Sequence, residues 1–320
     1  MLYYNKLLYY NIFMTSRIQT YLLTFFFLFF SLISSANAEV KVVTSIKPIH
    51  SLVSYIMDGV GKPDVIVDGY NSPHGFSLKP SHAKMLENAD LVIWVGEDLE
   101  AFLEKPLQTI AKKAKNIELM DLKGIKKLEF REKNIFEEHD DHKEKDGHEG
   151  HAHGEHDPHV WLDPINAKVI IKEITNQLVQ LDSKNSSIYK SNAKKALTDI
   201  DKLVKDIKKE LNKDLRFVVF HDAYQYFENR FDIQVLGALT VNTDVMPGAE
   251  QLSKIREVIE HEKVNCLFSE PQFNPAIIKS IAKDTKIKTG ILDPLGAKLD
   301  KGKNLYFDLL KNMSSSFKGC

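Results

Sequence analysis

The chain has 320 residues, 43 of them Lys or Arg against 44 Asp or Glu, with two cysteines. So near-neutral a balance gives no case for a nucleic-acid or anionic-membrane partner. The length exceeds that of one typical domain, so two lobes are expected.

Residues 1–38 read as an export leader. They carry Lys6 and Arg17 but no acid, then an apolar run over 21–33 and Ala36-Asn37-Ala38, an A-x-A cleavage site ahead of Glu39. The run falls short of the ~20 residues that a membrane span needs, and an uncleaved anchor is the competing reading. Met14 would be a more ordinary start. No cysteine sits at the cleavage site, so a lipid anchor is not expected. The mature chain is expected to be free and exported, with 41 basic and 44 acidic side chains.

Behind the leader, strand and helix patterns alternate. Residues 40–45 predict a strand, and Pro48 opens an amphipathic helix to 57. Gly59, Gly61 and Pro63 break it; a strand over 64–67 and a turn-rich segment over 69–75 follow. A helix over 81–88, a buried strand over 91–96, a helix over 99–114 and a strand over 117–120 complete the first lobe. This alternation indicates an α/β lobe with a mainly parallel sheet. Residues 165–181 read as a helix returning to it. From 187 to 211, without Pro or Gly, Ile188, Ala193, Leu197, Ile200, Leu203, Val204, Ile207 and Leu211 recur at helical spacing. That period suits a coiled-coil face or a long helix lying against both lobes, and the α/β patterns on either side favour the latter. The rhythm then repeats, with strands over 217–220, 234–236, 266–268 and 289–292 and helices over 249–260, 275–284 and 305–317.

The predicted fold class is therefore α/β, two lobes with mainly parallel sheets joined by a long backbone helix. The expected divisions are 1–38 (leader), 39–136 (N-terminal lobe), 137–158 (inserted loop), 159–184 (return to the N-terminal lobe), 185–212 (linking helix) and 213–320 (C-terminal lobe).

The inserted loop is the most distinctive stretch. From His139 to His159 it reads HDDHKEKDGHEGHAHGEHDPH, seven of the twelve histidines among Asp, Glu, Lys and Gly. With almost no apolar surface to bury, it is expected to be disordered. Neutral imidazole is the commonest protein ligand for transition metals. His139, His142, His148, His151, His153 and His156 thus form an auxiliary metal-binding set, with a solvated charged linker as the plainer reading. Cys266 and Cys320, in an oxidising compartment, suit one disulfide, with a pair of zinc-ligating thiolates as the alternative.

In open α/β sheets, ligands bind beyond the carboxyl ends of the strands. His74, His159, His221 and Asp293 occupy such ends or the turns after them. Each alone has an ordinary explanation, as a turn histidine, one more member of the His run, a helix-start residue and an N-cap. Together, at corresponding ends of two lobes, they describe a metal site in the cleft. His50, His82 and His261 read as structural or solvated, and Glu270 as a residue able to orient a ligand.

The phrases VTSIKPIHSLV, SPHGFSLKPSHAKMLENADLVIWVGEDLEAFL, HVWLDP, FHDAYQYFE, PGAEQL, SEPQFNP and ILDPLG resemble those of the periplasmic zinc-binding proteins of bacterial zinc-uptake ABC transporters. These belong to the solute-binding protein 9 family, and the resemblance runs from about Val40 to Cys320. It implies that His74 in SPHGFSL, His159 in HVWLDP and His221 in FHDAY are the histidine ligands. It also implies Asp293 in ILDPLG as the carboxylate that some members use as fourth ligand. Pro73 stands where some zinc-binding members have Glu, which removes that candidate. A Cys266–Cys320 disulfide and a His-rich loop before the second ligand follow from the same resemblance.

Three imidazoles with at most one carboxylate suit tetrahedral Zn(II), with Zn–N of about 2.0–2.1 Å, better than they suit the oxygen-richer site of manganese relatives. Ligating histidines must be neutral, so capture should weaken below pH ~6.5. The implied function is a periplasmic binding protein without chemistry of its own. It would capture Zn(II) as cargo and deliver it to an ABC permease and its ATPase subunit. No nucleic-acid partner is expected, membrane contact runs only through the permease, and the chain is expected to be a monomer. The alternatives are a transporter component for manganese or another divalent metal, and a periplasmic zinc buffer. A zinc hydrolase would also use a three-histidine site with an open position, but no HExxH or general-base motif supports one.

Overall fold

The computed structural model describes residues 39–131, 135, 155–211, 215–241, 243 and 247–320, and Val40–Cys320 form one unit built on two four-stranded parallel sheets. The leader and His139, His142, His148, His151 and His153 lie outside the described residues.

The first sheet holds β1 (Val42–Ile46), β2 (Asp64–Val67), β3 (Leu91–Trp94) and β4 (Lys115–Glu118) in the order β2-β1-β3-β4. Helices α1 (Lys47–Ile56), α2 (Pro80–Glu87) and α3 (Glu97–Thr109) connect them. Every residue of β1 is buried, as expected of a parallel strand covered on both faces. Pro48 sits in the first turn of α1, where its missing N–H costs no helical bond. Two further helices follow, α4 (Pro164–Leu181), capped by Asp163, and α5 (Ser186–Glu210).

The second sheet repeats the first pattern. Strands β5 (Arg216–His221), β6 (Gln234–Thr240), β7 (Cys266–Ser269) and β8 (Lys288–Ile291) lie in the order β6-β5-β7-β8, with α6 (Gln225–Phe231), α7 (Ala249–His261), α8 (Ala276–Thr285) and α9 (Leu305–Lys318). In both sheets the strand order reverses beside the first strand, so crevices open beyond β1/β3 and β5/β7.

The long helix α5 packs on α1, α4 and α9, so the C-terminal helix crosses back to the first lobe. A Cys266–Cys320 disulfide, Cα to Cα 5.8 Å, ties the chain end to β7. One apolar cluster runs unbroken from Val43 and Ile93 through Trp161, Tyr189 and Tyr306 to Phe217, Phe268 and Phe317. The lobes therefore share a core, and opening them widely would expose it. A smaller cluster around Val218, Ile255, Leu267 and Ile281 covers the other face of the second sheet.

Several elements depart from the sequence reading: β6 runs to Thr240, four residues beyond its expected end, and β3 stops two residues short, at Trp94. Helix α3 ends at Thr109, five residues short of the expected end, where the amides of Ile110 and Ala111 share Pro106 O. Strand β4 starts two residues early. Leu119 and Met120 lie past its end, although both are buried and bonded to Trp94 O and Val95 O. Helix α6 has no clear periodic signal. It is only seven residues long, largely buried, and stopped by Asp232 at φ 58°. Among the described residues no helix is long and apolar enough to cross a membrane.

A buried acid near the start of α3 makes stability depend on pH. The carboxylate of Glu100, with no exposed surface, accepts from the amides of Val95 and Gly96 at 2.7 and 3.2 Å. Burial still pushes its pKa from 4.5 up to about 7. The folded chain therefore holds this proton more tightly than the unfolded chain. The group's contribution is fully present below pH 4.5 and is lost as pH rises through about 7. The loss is on the order of 3 kcal/mol. Glu100→Gln should remove it, so in urea titrations the variant's stability relative to the parent rises from pH 5 to pH 8. A difference that stays flat over that range would clear Glu100.

Candidate metal centre

Three imidazoles meet beyond the carboxyl ends of the strands. His221 is the last residue of β5, and Glu270 is the first residue beyond the neighbouring β7. The strand reversal thus sets them side by side, with Nδ1 of His221 donating to Oε1 of Glu270 at 2.6 Å. His159 precedes the 3₁₀ turn Val160–Leu162 that leads into α4. Two residues earlier, Oδ1 of Asp157 accepts from both the amide and Nδ1 of His159, at 2.9 and 2.7 Å. Asp157 is itself anchored, its N–H donating to Leu128 O and its carbonyl accepting from the Tyr226 hydroxyl. His74 lies in the turn-rich segment after β2, where its amide donates to Ser72 Oγ at 3.2 Å.

One ligand atom from each ring lies within 4.8 Å of the other two. Nε2 of His159 and Nε2 of His221 are 3.3 Å apart. A tetrahedral zinc ion holds its nitrogens about 3.3 Å from one another, so this pair already has the required spacing. The space between the rings is about 10 Å³, room for one atom-sized guest, and is lined by Pro73, Trp161, Phe273, Pro294 and Leu295.

The electrostatics point the same way. A carboxylate on each Nδ1 makes that nitrogen the protonated one, so both rings turn an Nε2 lone pair toward the other. Two lone pairs at this distance repel until a proton or a metal cation lies between them. Burial drives the His159 pKa well below its ordinary value, and His221 adds to the drop. Burial acts likewise on His221, but the charge and hydrogen bond of Glu270 outweigh it and the pKa is raised. Burial also pushes Asp157 up to about 7. The arrangement can hold one divalent cation on nitrogen donors.

Asp293 does not join the three rings. Its carboxylate accepts from the amides of Leu295, Gly296 and Ala297 and from Nε2 of Gln272, at 2.6 to 3.2 Å. The acid expected as fourth ligand is occupied in shaping its own loop. His156, the one auxiliary histidine described, forms an isolated backbone bridge with Glu129 and also stands outside the group. His50 faces Pro63 O and His82 accepts from the Lys79 amide, both structural roles. Asp157 is the residue that pattern reading missed, because it lies inside the stretch taken for disordered loop. The available signal was its place two residues before a histidine, within reach of that residue's amide and ring.

The model of one protein family, Zinc-uptake complex component A periplasmic (ZnuA), matches residues 42–320, a stretch that contains all three histidines. The chain belongs to the ZnuA family. Relatives in the ZnuA family include the high-affinity zinc uptake system protein ZnuA of Brucella abortus, 42% identical over 311 residues, covering 90% of this chain and 93% of that protein. The protein of that name from Yersinia pestis is 38% identical, covering 88% and 92%. A ZnuA crystal structure superposes with a TM-score of 0.74 at 23% identity, over 88% of this chain and 99% of the other. A manganese-bound periplasmic metal-binding protein from Candidatus Liberibacter asiaticus gives 0.70 at 22% identity, over 88% and 98%. Identities this low bear on the fold alone, so the solved structures establish the ZnuA-type architecture and nothing about cargo. ZnuA-family proteins are periplasmic components of an uptake system.

Proposed function

We propose that this chain is the zinc-capturing component of a zinc-uptake transporter, holding Zn(II) as cargo on His74, His159 and His221. It passes the ion to an ABC permease powered by an ATPase subunit and makes or breaks no covalent bond itself. The observation that carries this reading is the pair of buried Nε2 atoms 3.3 Å apart, each ring backed by a carboxylate. The zinc-uptake names of the Brucella and Yersinia relatives support it. All-nitrogen donation disfavours manganese, and the tetrahedral spacing favours zinc over copper, which prefers a tetragonal site. With Asp293 engaged in its loop, water takes the fourth position in this reading. Residues 1–38 are a leader removed at export, so N-terminal sequencing of the periplasmic protein should begin at Glu39. The lobes are 39–136 with 159–184, and 213–320, linked by 185–212, and the protein acts as a monomer.

The decisive experiment demetallates the mature chain and titrates zinc by calorimetry, with manganese and copper as competitors. One tight zinc at the cleft, undisplaced by manganese, is expected. Manganese binding more tightly than zinc would overturn the proposal. Within the site, Glu270→Gln keeps the shape and removes the charge on His221, and it should weaken zinc by about 10- to 100-fold. Asp293→Asn should change affinity by less than that; a larger loss would make Asp293 the fourth ligand. The His-rich stretch gathers further zinc and passes it inward. Its test is deletion of 137–154, which spares Asp157 and should lower stoichiometry while leaving the tight site intact.

A further inference from the structure

Lys47, the first residue of α1, stands directly beyond β1 at the crevice of the first sheet, and only 3% of it is exposed. Its ammonium donates to the carbonyls of Gly296, Ala297 and Leu299 at 2.7, 3.2 and 2.7 Å. An ammonium has three protons to donate. All three go to one short strip 249 to 252 residues away in the chain. That strip closes the Asp293 loop, whose Pro294 and Leu295 wall the pocket between the histidines.

The same nitrogen lies 3.9 Å from Oδ1 of Asp68, and Lys301 reaches the other oxygen of Asp68 at 2.8 Å. Asp68 opens the segment that carries His74, and it shapes that segment by accepting from Gly69 N and Asn71 Nδ2. One buried charge therefore lies against both strips that border the pocket. On the far side, the Trp161 indole donates to Pro294 O at 2.9 Å, so the loop is gripped from two directions.

We propose that Lys47 is a positioning residue, a latch that holds the 293–299 loop against the His74 segment and sets how long a bound ion is retained. This rests on the three-histidine zinc site. Parting the two strips widens the way out of the pocket, and moving the 293–299 loop away breaks the ammonium's bonds to its carbonyls. Entry proceeds through the same parted state, which the latch also makes rarer in the ion-free chain, since its contacts are already formed there. Loss of Lys47 therefore speeds release and capture together and leaves the equilibrium affinity nearly unchanged.

The test is stopped-flow release of zinc from the loaded mature chain into excess chelator, with association measured separately. Lys47→Met, similar in length but uncharged, should raise the release and association rates together, each about tenfold, and leave the zinc Kd within about twofold. Asp68→Asn, half-exposed and outside the core, should raise release about threefold, and it decides the matter if Lys47→Met fails to fold. Lys303→Ala removes the exposed pair with Asp58, remote from the pocket, and should change nothing. Because Cys266 and Cys320 are bonded, the lone thiol of Lys47→Cys can be alkylated with bromoethylamine before refolding. The restored ammonium should bring release back to the parent rate, while a neutral alkyl group should not. Parent-like release in Lys47→Met and Asp68→Asn, or equal acceleration in Lys303→Ala, would overturn the latch. Failure of the parent chain to bind zinc, or full binding by a His159→Ala/His221→Ala double variant, would instead remove the zinc site itself.

Discussion

Replacing His159 by alanine should weaken zinc binding by more than a hundredfold. Apparent zinc binding energies near 12 kcal/mol, shared among four donors, put about 3 kcal/mol on each, or on the order of a hundredfold in affinity. The loss at His159 should exceed that figure for a reason specific to this site. The ring is also the partner of Asp157, which is 1% exposed and whose Oδ1 bonds both the amide and Nδ1 of His159. Without the ring, that carboxyl takes up a proton, because burial already pushes its pKa to about 7, and a protonated acid is a poor substitute ligand. Competition against a chromophoric chelator measures the effect. His50→Ala and His82→Ala serve as controls, since their rings face Pro63 and Lys79, and both should bind zinc like the parent. Zinc affinity within tenfold of the parent in His159→Ala would sink the three-imidazole centre.

The second large effect is on stability. Cys266→Ser combined with Cys320→Ser opens a bridge between residues 54 apart. Chain entropy puts the cost of losing such a closure at about 4 kcal/mol, or a fall of about 10 °C in Tm for a chain of this size. The bridge pins α9, whose Phe317 packs against Phe217, Phe227 and Phe268. Farther along α9, the Tyr306 hydroxyl donates to Trp161 O, close to the three histidines. Tyr306 is held there independently, its amide donating to Ser51 Oγ. Zinc affinity at 25 °C should therefore stay at the parent level while the urea midpoint falls. Unchanged stability would mean that the aromatic cluster alone holds the chain end. A loss of zinc binding would mean that the strain reaches the site.

Most of the fold is legible in the sequence because its elements announce themselves locally. Continuous β-branched and apolar runs mark β1, β3 and β5, each buried along nearly all its length. The long periodic stretch without Pro or Gly becomes α5. The failures occur where a local signal is weak or contradicted. Helix α3 carries Pro106 in its interior and ends at Thr109, short of the expected 114, and the seven residues of α6 are too few to show a period. At the site, the histidines were recognisable from residue type and from their places after strands, whereas the acids could not be sorted. Asp157, Glu270 and Asp293 all look alike as carboxylates near strand ends or turns.

The sequence by itself determined the order of strands and helices, the candidate histidines and the cysteine pair, since each depends on residue identity and short-range periodicity. Tertiary structure alone decided which carboxylate serves which purpose. It turned Asp157 and Glu270 to the histidines, Asp293 to its own loop amides, and Lys47 to carbonyls some 250 residues distant. A buried polar group must take whatever partner the packed chain brings within about 3 Å, and no window along the sequence contains that partner.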